Sequence, residues 1–330
     1  MHDWTRNTPK EEYPEIRNIY KLYGRPENVE GVQFDAEHNY NRQSRQAVYR
    51  FFDAHLHPPV RAAEFKERDY QLPPKEDLLA YPTGALPPGS ANVEEVFQSW
   101  RVSAWLRAES DASPGELRNN IRDALQVDFE SPVESYVNGN DIVLSRTHKG
   151  DRVRGYWIPG KGRPVLIVDP DGADAALQSD LAKDVIRAGR PVLMIDLFTP
   201  DPTRAARADV DPYFLSYNRS DDAERVQDIL TALVFLHTQS KAVPDLIGLG
   251  AAGIRSLFAA AAAPVETNLI VDLNGFSGID SDFLTRFFVP GIQHAGGLQA
   301  ALRLVGPVRA AAPATALAGD SLLSAGKMAR

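Results

Sequence analysis

Cysteine is absent from the 330 residues, which excludes disulfides, thiolate metal sites and a cysteine nucleophile. An excess of positive charge is also missing. Lys and Arg number 36 against 44 Asp and Glu, for a formal net charge of -8 and a pI near 5.4. Affinity for a phosphate backbone comes from clustered cations, so nucleic acid is excluded as a partner. No uninterrupted apolar run approaches the ~18 residues of a membrane span, and Met1–Arg6 offers no basic stretch leading into an apolar one. The expectation is a soluble chain, not a membrane protein, without an export signal of its own. Freedom from cysteine leaves cytosol and periplasm equally open, and the abrupt start in structured-looking sequence fits a piece of a longer protein.

What is present is 43% hydrophobic and 24% charged residues, an ordinary globular composition with enough chain for one large core or two smaller ones. Residues 10–57 carry a helix around Glu15–Tyr23, a short strand at Asn28–Phe34, a polar turn at Asp35–Asn41 and a helix from Ser44. In that last helix Ala47, Val48, Phe51 and Phe52 recur at helical spacing, giving one face to pack on a sheet. Pro58–Ser90, broken by Pro73-Pro74, Pro82 and Pro87-Pro88, reads as an extended linker. Two helices follow. Asn92–Arg107 sets Val93, Val96, Phe97, Trp100 and Ala104 on one stripe, and Pro114–Leu125 starts from Ser113 as cap with Pro114 in the first turn. They cap a sheet edge or bridge two domains.

From Val133 strands alternate with helices. The strands are expected at Arg152–Ile158, Val165–Val168, Val192–Leu197, Asp245–Gly248 and Asn268–Leu273, and the helices at Ala176–Ala188, Ala223–Thr238 and Ile254–Ala263. Short apolar strands separated by helices predict an α/β fold with a mainly parallel sheet and helices on both faces. The Ala-rich end, Ala301–Arg330, offers at most one weak strand, Ala314–Ala318.

The segment Gly248-Leu249-Gly250-Ala251-Ala252-Gly253 lies between a strand and a helix, the context of a nucleophile elbow. Its central position is Gly250, which has no side chain to attack a carbonyl. The same residues spell G-x-G-x-x-G, with Asp272 about where a ribose-binding acid falls in dinucleotide folds. Gly248, Gly250, Gly253 and Asp272 are therefore a second candidate site, although that fingerprint normally opens a domain and here at least three strands precede it. A third reading is a glycine-rich turn that lets a helix pack closely on its strand.

The N-terminal residues Asp3-Trp4-Thr5, Ile19-Tyr20-Lys21-Leu22-Tyr23-Gly24 and Glu37-His38-Asn39-Tyr40 resemble the closing third of bacterial acetylxylan-esterase-like α/β hydrolases. The resemblance implies Asp3 as catalytic acid and His38 as base, with Asn39 standing where the family's loop carries aspartate. Such a histidine takes a proton from serine while the acid fixes its tautomer, so the pair works only with a nucleophile. Asp169-Pro170-Asp171-Gly172-Ala173, Tyr217-Asn218-Arg219-Ser220 and Thr285–Gly291 resemble the non-catalytic second module that longer members carry. The implied layout is a remnant of a catalytic module at 1–57, a linker with bridging helices at 58–132, and an α/β-hydrolase-like module without its serine at 133–330. The other arrangement is a permutation in which 1–57 completes the 133–330 sheet. Implied partners are an acetylated polysaccharide or a missing catalytic module, and the family is often exported.

Other candidates carry less. Ser277 in Gly275-Phe276-Ser277-Gly278 lacks the second elbow glycine, and Gly172 offers oxyanion-type backbone donors or a plain strand-end turn. His55 and His57 stand at the wrong spacing for a metal, and Asp320 has no evident pair. No cofactor or metal is expected. The reading of the whole is an acetylxylan-esterase type of carboxylic-ester hydrolase by resemblance, inactive as an isolated chain. A non-catalytic carbohydrate- or partner-binding module and a dinucleotide binder are the alternatives.

Overall fold

Apolar residues alternate sides along the central strands, and this alternation builds two cores. A computed structural model describes residues 4–56, 67–107, 112–200, 203, 213–306 and 309–310. Contacts divide the chain into two units, Met1–Ser90 and Ala91–Arg330.

In the second unit the strands are β1 (Val133–Asn138), β2 (Asp141–Arg146), β3 (Val153–Ile158), β4 (Val165–Val168), β5 (Val192–Ile195), β6 (Asp245–Gly248), β7 (Asn268–Val271) and β8 (Arg309–Ala310). They form one sheet in the order β1-β2-β3-β5-β4-β6-β7-β8. The pairings from β1 through β3 to β5 are antiparallel, and those from β5 through β4, β6 and β7 to β8 are parallel. The sheet is thus mixed, which corrects the expectation of a mainly parallel one. The reason is a hairpin: β1 and β2 are joined by Gly139-Asn140, with Gly139 at φ +63° in a left-handed conformation that glycine adopts without steric cost.

Leu166, Val168, Leu193, Ile195, Leu246 and Val271 point to one face. There they meet α4 (Pro114–Leu125), α8 (Asp221–Gln239), α9 (Ala252–Ala262) and α11 (Gly297–Val305). Val165, Ile167, Val192, Met194, Ile247 and Ile270 point to the other face, against α5 (Ala173–Gln178) and α6 (Asp180–Arg187). This period-two division is what a strand buried on both faces requires. The expected single helix 176–188 is instead this pair, because Ser179 accepts a hydrogen bond from Ala182 N–H at 3.1 Å and starts a new helix. The short helices α7 (Phe214–Tyr217) and α10 (Asp280–Thr285) complete the unit with α3 (Val93–Leu106). The Ser113 cap of α4 is present as a full capping box with Glu116. By contrast, Val93, Phe97 and Trp100 of the α3 stripe stay exposed, and of that helix only Ala104 is buried.

The first unit holds α1 (Glu12–Leu22) and α2 (Arg42–Leu56), and none of its described residues is buried. The strand expected at 28–34 has no ladder. Asn28 ends a 3-10 turn, Pro26–Asn28, and the residues after it run unpaired. Gly31 lies under the Tyr13 ring, where a Cβ would come within 2.8 Å. Gln33 Nε2 donates to the carbonyls of Thr5 and Arg6 at 3.2 Å each. An ion pair, Arg45 Nε to Glu67 Oε1 at 2.9 Å, ties α2 to the proline-rich stretch. Among the described residues no helix is long and apolar enough to cross a membrane. The weak strand expected at 314–318 lies outside the described residues.

Candidate functional site

The fully buried strand β6 runs between β4 and β7 and delivers the chain to a sharp turn at the carboxyl edge of the sheet. Leu249 N–H donates to Val168 O at 2.9 Å, Ala252 N–H to Leu249 O at 2.9 Å and Gly253 N–H to Gly250 O at 3.0 Å, so the turn passes directly into α9. Gly250 sits at φ +47°, the left-handed strain that a nucleophile elbow imposes on its central residue. A Cβ built there would meet only Pro170 Cγ, at an ordinary 3.6 Å. The geometry of the elbow is therefore present and its side chain is not.

The flanking glycines have a packing cause. A Cβ on Gly253 would overlap the backbone carbonyl of Asp272, and one on Gly248 would press on the Ser256 hydroxyl at 2.5 Å. Both residues let α9 approach β6 and β7, which accounts for the G-x-G-x-x-G spacing without a ligand. Asp272 Oδ1 accepts from Asn274 N–H at 2.7 Å. Ser256, on α9 below the turn, is fully buried and its hydroxyl has no partner among the described residues, so it is sealed from any substrate.

The other sequence candidates are occupied by structural work. Gly172 N–H donates to Asp169 O at 3.1 Å, and Ala173 N–H to Asp196 Oδ1 at 2.8 Å, so the donors after β4 close a turn and start α5. Ser277 donates through its hydroxyl at 2.8 Å and through its backbone N–H at 2.7 Å to Asp282 Oδ2. These bonds, the backbone one foremost, hold the Asp282 carboxyl below its ordinary pKa. A carboxylate stabilised in this way is a weak base for activating the same serine. His38 lies exposed on the loop after residue 34, and Asn39 beside it accepts from Asn41 N–H at 2.8 Å. His55 ends α2 with its ring 4.3 Å from that of Phe51. Asp3, His57 and Asp320 lie outside the described residues. Among the described residues no cluster of His, Asp and Glu is arranged to hold a metal ion.

Three features escaped the sequence. Asp222, 8% exposed, accepts from Arg225 Nη1 at 2.9 Å, Arg255 Nε at 2.8 Å and Phe288 N–H at 2.7 Å. Because Arg255 stands on the first turns of α9 and also bonds Ala251 O, this hub clamps the elbow to α8 and to the chain after α10. Its only sequence trace is acid in the first turn of a helix. Asp228, also on α8, is pushed up to about 7 by burial, opposed by the hydrogen bond from Phe198 N–H at 2.6 Å and raised further by Glu224 and Asp151. Finally, a cleft of about 590 Å³ opens between α3 and residues 277–299. Trp105, Gln98, Gln293 and Gln299 line it, and Arg101 Nη1 pairs with Asp280 Oδ2 across it at 2.7 Å.

No family model matches the chain, and no curated protein matches it. Among solved structures it is similar to a Bacteroides fragilis protein provisionally assigned as an acetyl xylan esterase, with a TM-score of 0.47 and 10% identity over 67% of this chain and 74% of that one. It is also similar to acetyl xylan esterase 1 from Thermoanaerobacterium sp., with a TM-score of 0.36 and 12% identity over 64% and 90% of the two chains. A third likeness is to an esterase from Exiguobacterium antarcticum, with a TM-score of 0.26 and 15% identity over 37% and 41%.

Proposed function

We propose that this chain is of carboxylic-ester hydrolase type, that its α/β unit is catalytically silent, and that Asp3 and His38 are the acid and base of a catalytic module whose serine this chain does not carry. The observation that carries the silent half is the turn after β6. It has the strand–turn–helix setting and the left-handed φ of an elbow, and Gly250 puts no nucleophile there. The N-terminal half rests on the ordered run of motifs through Asp3, Tyr23-Gly24 and His38. The substrate that this resemblance implies is an acetylated polysaccharide. The full chain, assayed with a chromogenic acetyl ester, is expected to give no turnover above buffer. Turnover that disappears in His38→Ala would overturn the silence.

The cleft beside α3 favours a second reading, binding of a saccharide without turnover. An indole offers a flat apolar face to a sugar ring, and amide groups reach its hydroxyls in pairs. Trp105 with Gln98, Gln293 and Gln299 supplies both. Titration with an acetylated xylo-oligosaccharide, followed by tryptophan fluorescence, is expected to saturate in the native chain and to be lost in Trp105→Ala. A flat response in the native chain removes this reading.

A further inference from the structure

Asparagine precedes glycine twice in the chain, at Asn138-Gly139 and Asn274-Gly275. Such a pair holds its own nucleophile and electrophile. The glycine nitrogen, on a residue with no Cβ to block approach, can attack the asparagine carboxamide carbon. The N–Cγ bond forms, the Cγ–Nδ2 bond breaks, and Nδ2 leaves as ammonia with the glycine amide proton. Water then opens the succinimide at either carbonyl and leaves aspartate or isoaspartate. Both pairs lie on exposed turns, and among the described residues neither carboxamide and neither glycine N–H makes a hydrogen bond. Ring closure needs the glycine nitrogen swung to the Cβ side of the asparagine. An extended strand end, with ψ of roughly +135°, and a type I′ turn, with ψ of roughly +30°, both hold it away. The step therefore waits on local opening, and the ease of opening ranks the two sites.

Asn274 and Gly275 sit at φ +49° and +70°, the left-handed pair of a type I′ turn closed by Phe276 N–H to Leu273 O at 2.8 Å. That turn is clamped. Asp272 Oδ1 takes the Asn274 N–H, Arg286 Nη2 donates to Asn274 O at 2.6 Å, and Phe276 is buried edge-on to Phe283 with centroids 5.1 Å apart. Opening it pulls an aromatic ring from the core. Asn138 instead ends β1, the edge strand of the sheet, which is half-buried at Val133 and exposed from Glu134 to Asn138. Opening the tip of that hairpin uncovers almost nothing. We propose that Asn138 is a site of spontaneous deamidation and that the fold shields Asn274 from the same reaction. Conversion has a consequence at the edge. Asn138 pairs directly with Asp141, so an aspartate at 138 sets two like charges opposite each other, and isoaspartate lengthens the backbone and breaks the register.

Mass spectrometry of tryptic peptides tests this in the native full chain, aged in mildly alkaline buffer with and without urea. Cleavage after Arg122, Arg146, Arg255 and Arg286 puts the two sites on separate peptides, 123–146 and 256–286, and fragment ions assign the converted residue. Each rate in the folded chain is divided by the rate of the same site in urea, which removes the effect of neighbouring sequence. That ratio is expected to be larger at Asn138 than at Asn274 by at least roughly tenfold. Equal ratios, a larger ratio at Asn274, or a folded chain in which Asn138 stays intact while the unfolded chain converts each overturn the proposal. The consequence is read by hydrogen exchange. Asn138→Asp is expected to speed exchange of the β1–β2 amides several-fold, and Asp141→Asn in the same chain to restore it. Exchange that is unchanged in Asn138→Asp, or not restored by Asp141→Asn, overturns the like-charge consequence.

Discussion

The two units use similar residues in opposite ways. In the second, Phe258 is fully buried on α9 and stacks on Phe287 with centroids 4.5 Å apart, at the centre of a core that reaches from α4 to α11. In the first, Phe52 remains 52% exposed and Leu22 81% exposed, although both stand on helices with a clear apolar stripe. An amphipathic pattern specifies that a helix has a face to bury; it does not supply the surface that buries it. The second unit supplies that surface as a sheet, and among the described residues of the first no strand is paired.

The comparison breaks or sharpens most directly through aromatic truncation. Phe258→Ala is expected to cost about 3–5 kcal/mol of the second unit's stability, whereas Phe52→Ala in a dilute sample is expected to leave that transition unmoved. Urea unfolding followed by circular dichroism checks both, and a small Phe258→Ala effect would remove the contrast.

A second prediction concerns a charge inside the packed unit. Asp228 has a folded-state pKa of about 7 against an ordinary 3.8, so the folded state holds the proton more tightly than the unfolded one. Its contribution is fully present below 3.8 and is lost as pH rises through 7, by at most about 4 kcal/mol at roughly 1.4 kcal/mol per pH unit. Thermal melts across pH 4 to 8 are expected to show this decline, and Asp228→Asn to flatten it while keeping an oxygen for Phe198 N–H. An unchanged slope in the variant would assign the decline elsewhere.

Next come the two glycines of the turn. Gly253→Ala drives a methyl group into the Asp272 carbonyl and is expected to cost about 1–3 kcal/mol through displacement of α9. Gly250→Ala meets only open space and Pro170, and its cost is the left-handed backbone alone, about 1–2 kcal/mol. Melting of both variants checks the order, and a reversed order would mean that α9 shifts freely. The smallest effect is expected at Ser256→Ala. Removing a buried hydroxyl without a partner should leave stability unchanged or raise it by up to about 1 kcal/mol.

Much of this architecture was legible in the residues. The runs Val165–Val168, Val192–Ile195 and Asp245–Gly248 announce strands covered on both faces, and Ser113-Pro114 announces the start of α4. The β1–β2 hairpin was not read, although Asn138-Gly139 is a local turn signal; its strands carry exposed polar residues and hide their period. The break at Ser179 was masked by an apolar pattern that continues across it. At the candidate site, the glycine spacing marked the turn but could not separate an elbow from a close-packed helix, since both need small residues. Asp222 and Asp228 were beyond reach because their partners lie 33 and 30 residues away in sequence, as Arg255 and Phe198.

The vacant centre of the elbow also bears on evolution and engineering. Glycine and serine codons can differ by a single base, and a Cβ at Gly250 meets only Pro170 Cγ, at an ordinary 3.6 Å. The scaffold therefore stands one point mutation from a serine at the centre of a strained turn, which makes Gly250→Ser a starting genotype for selecting new acyl-transfer activity.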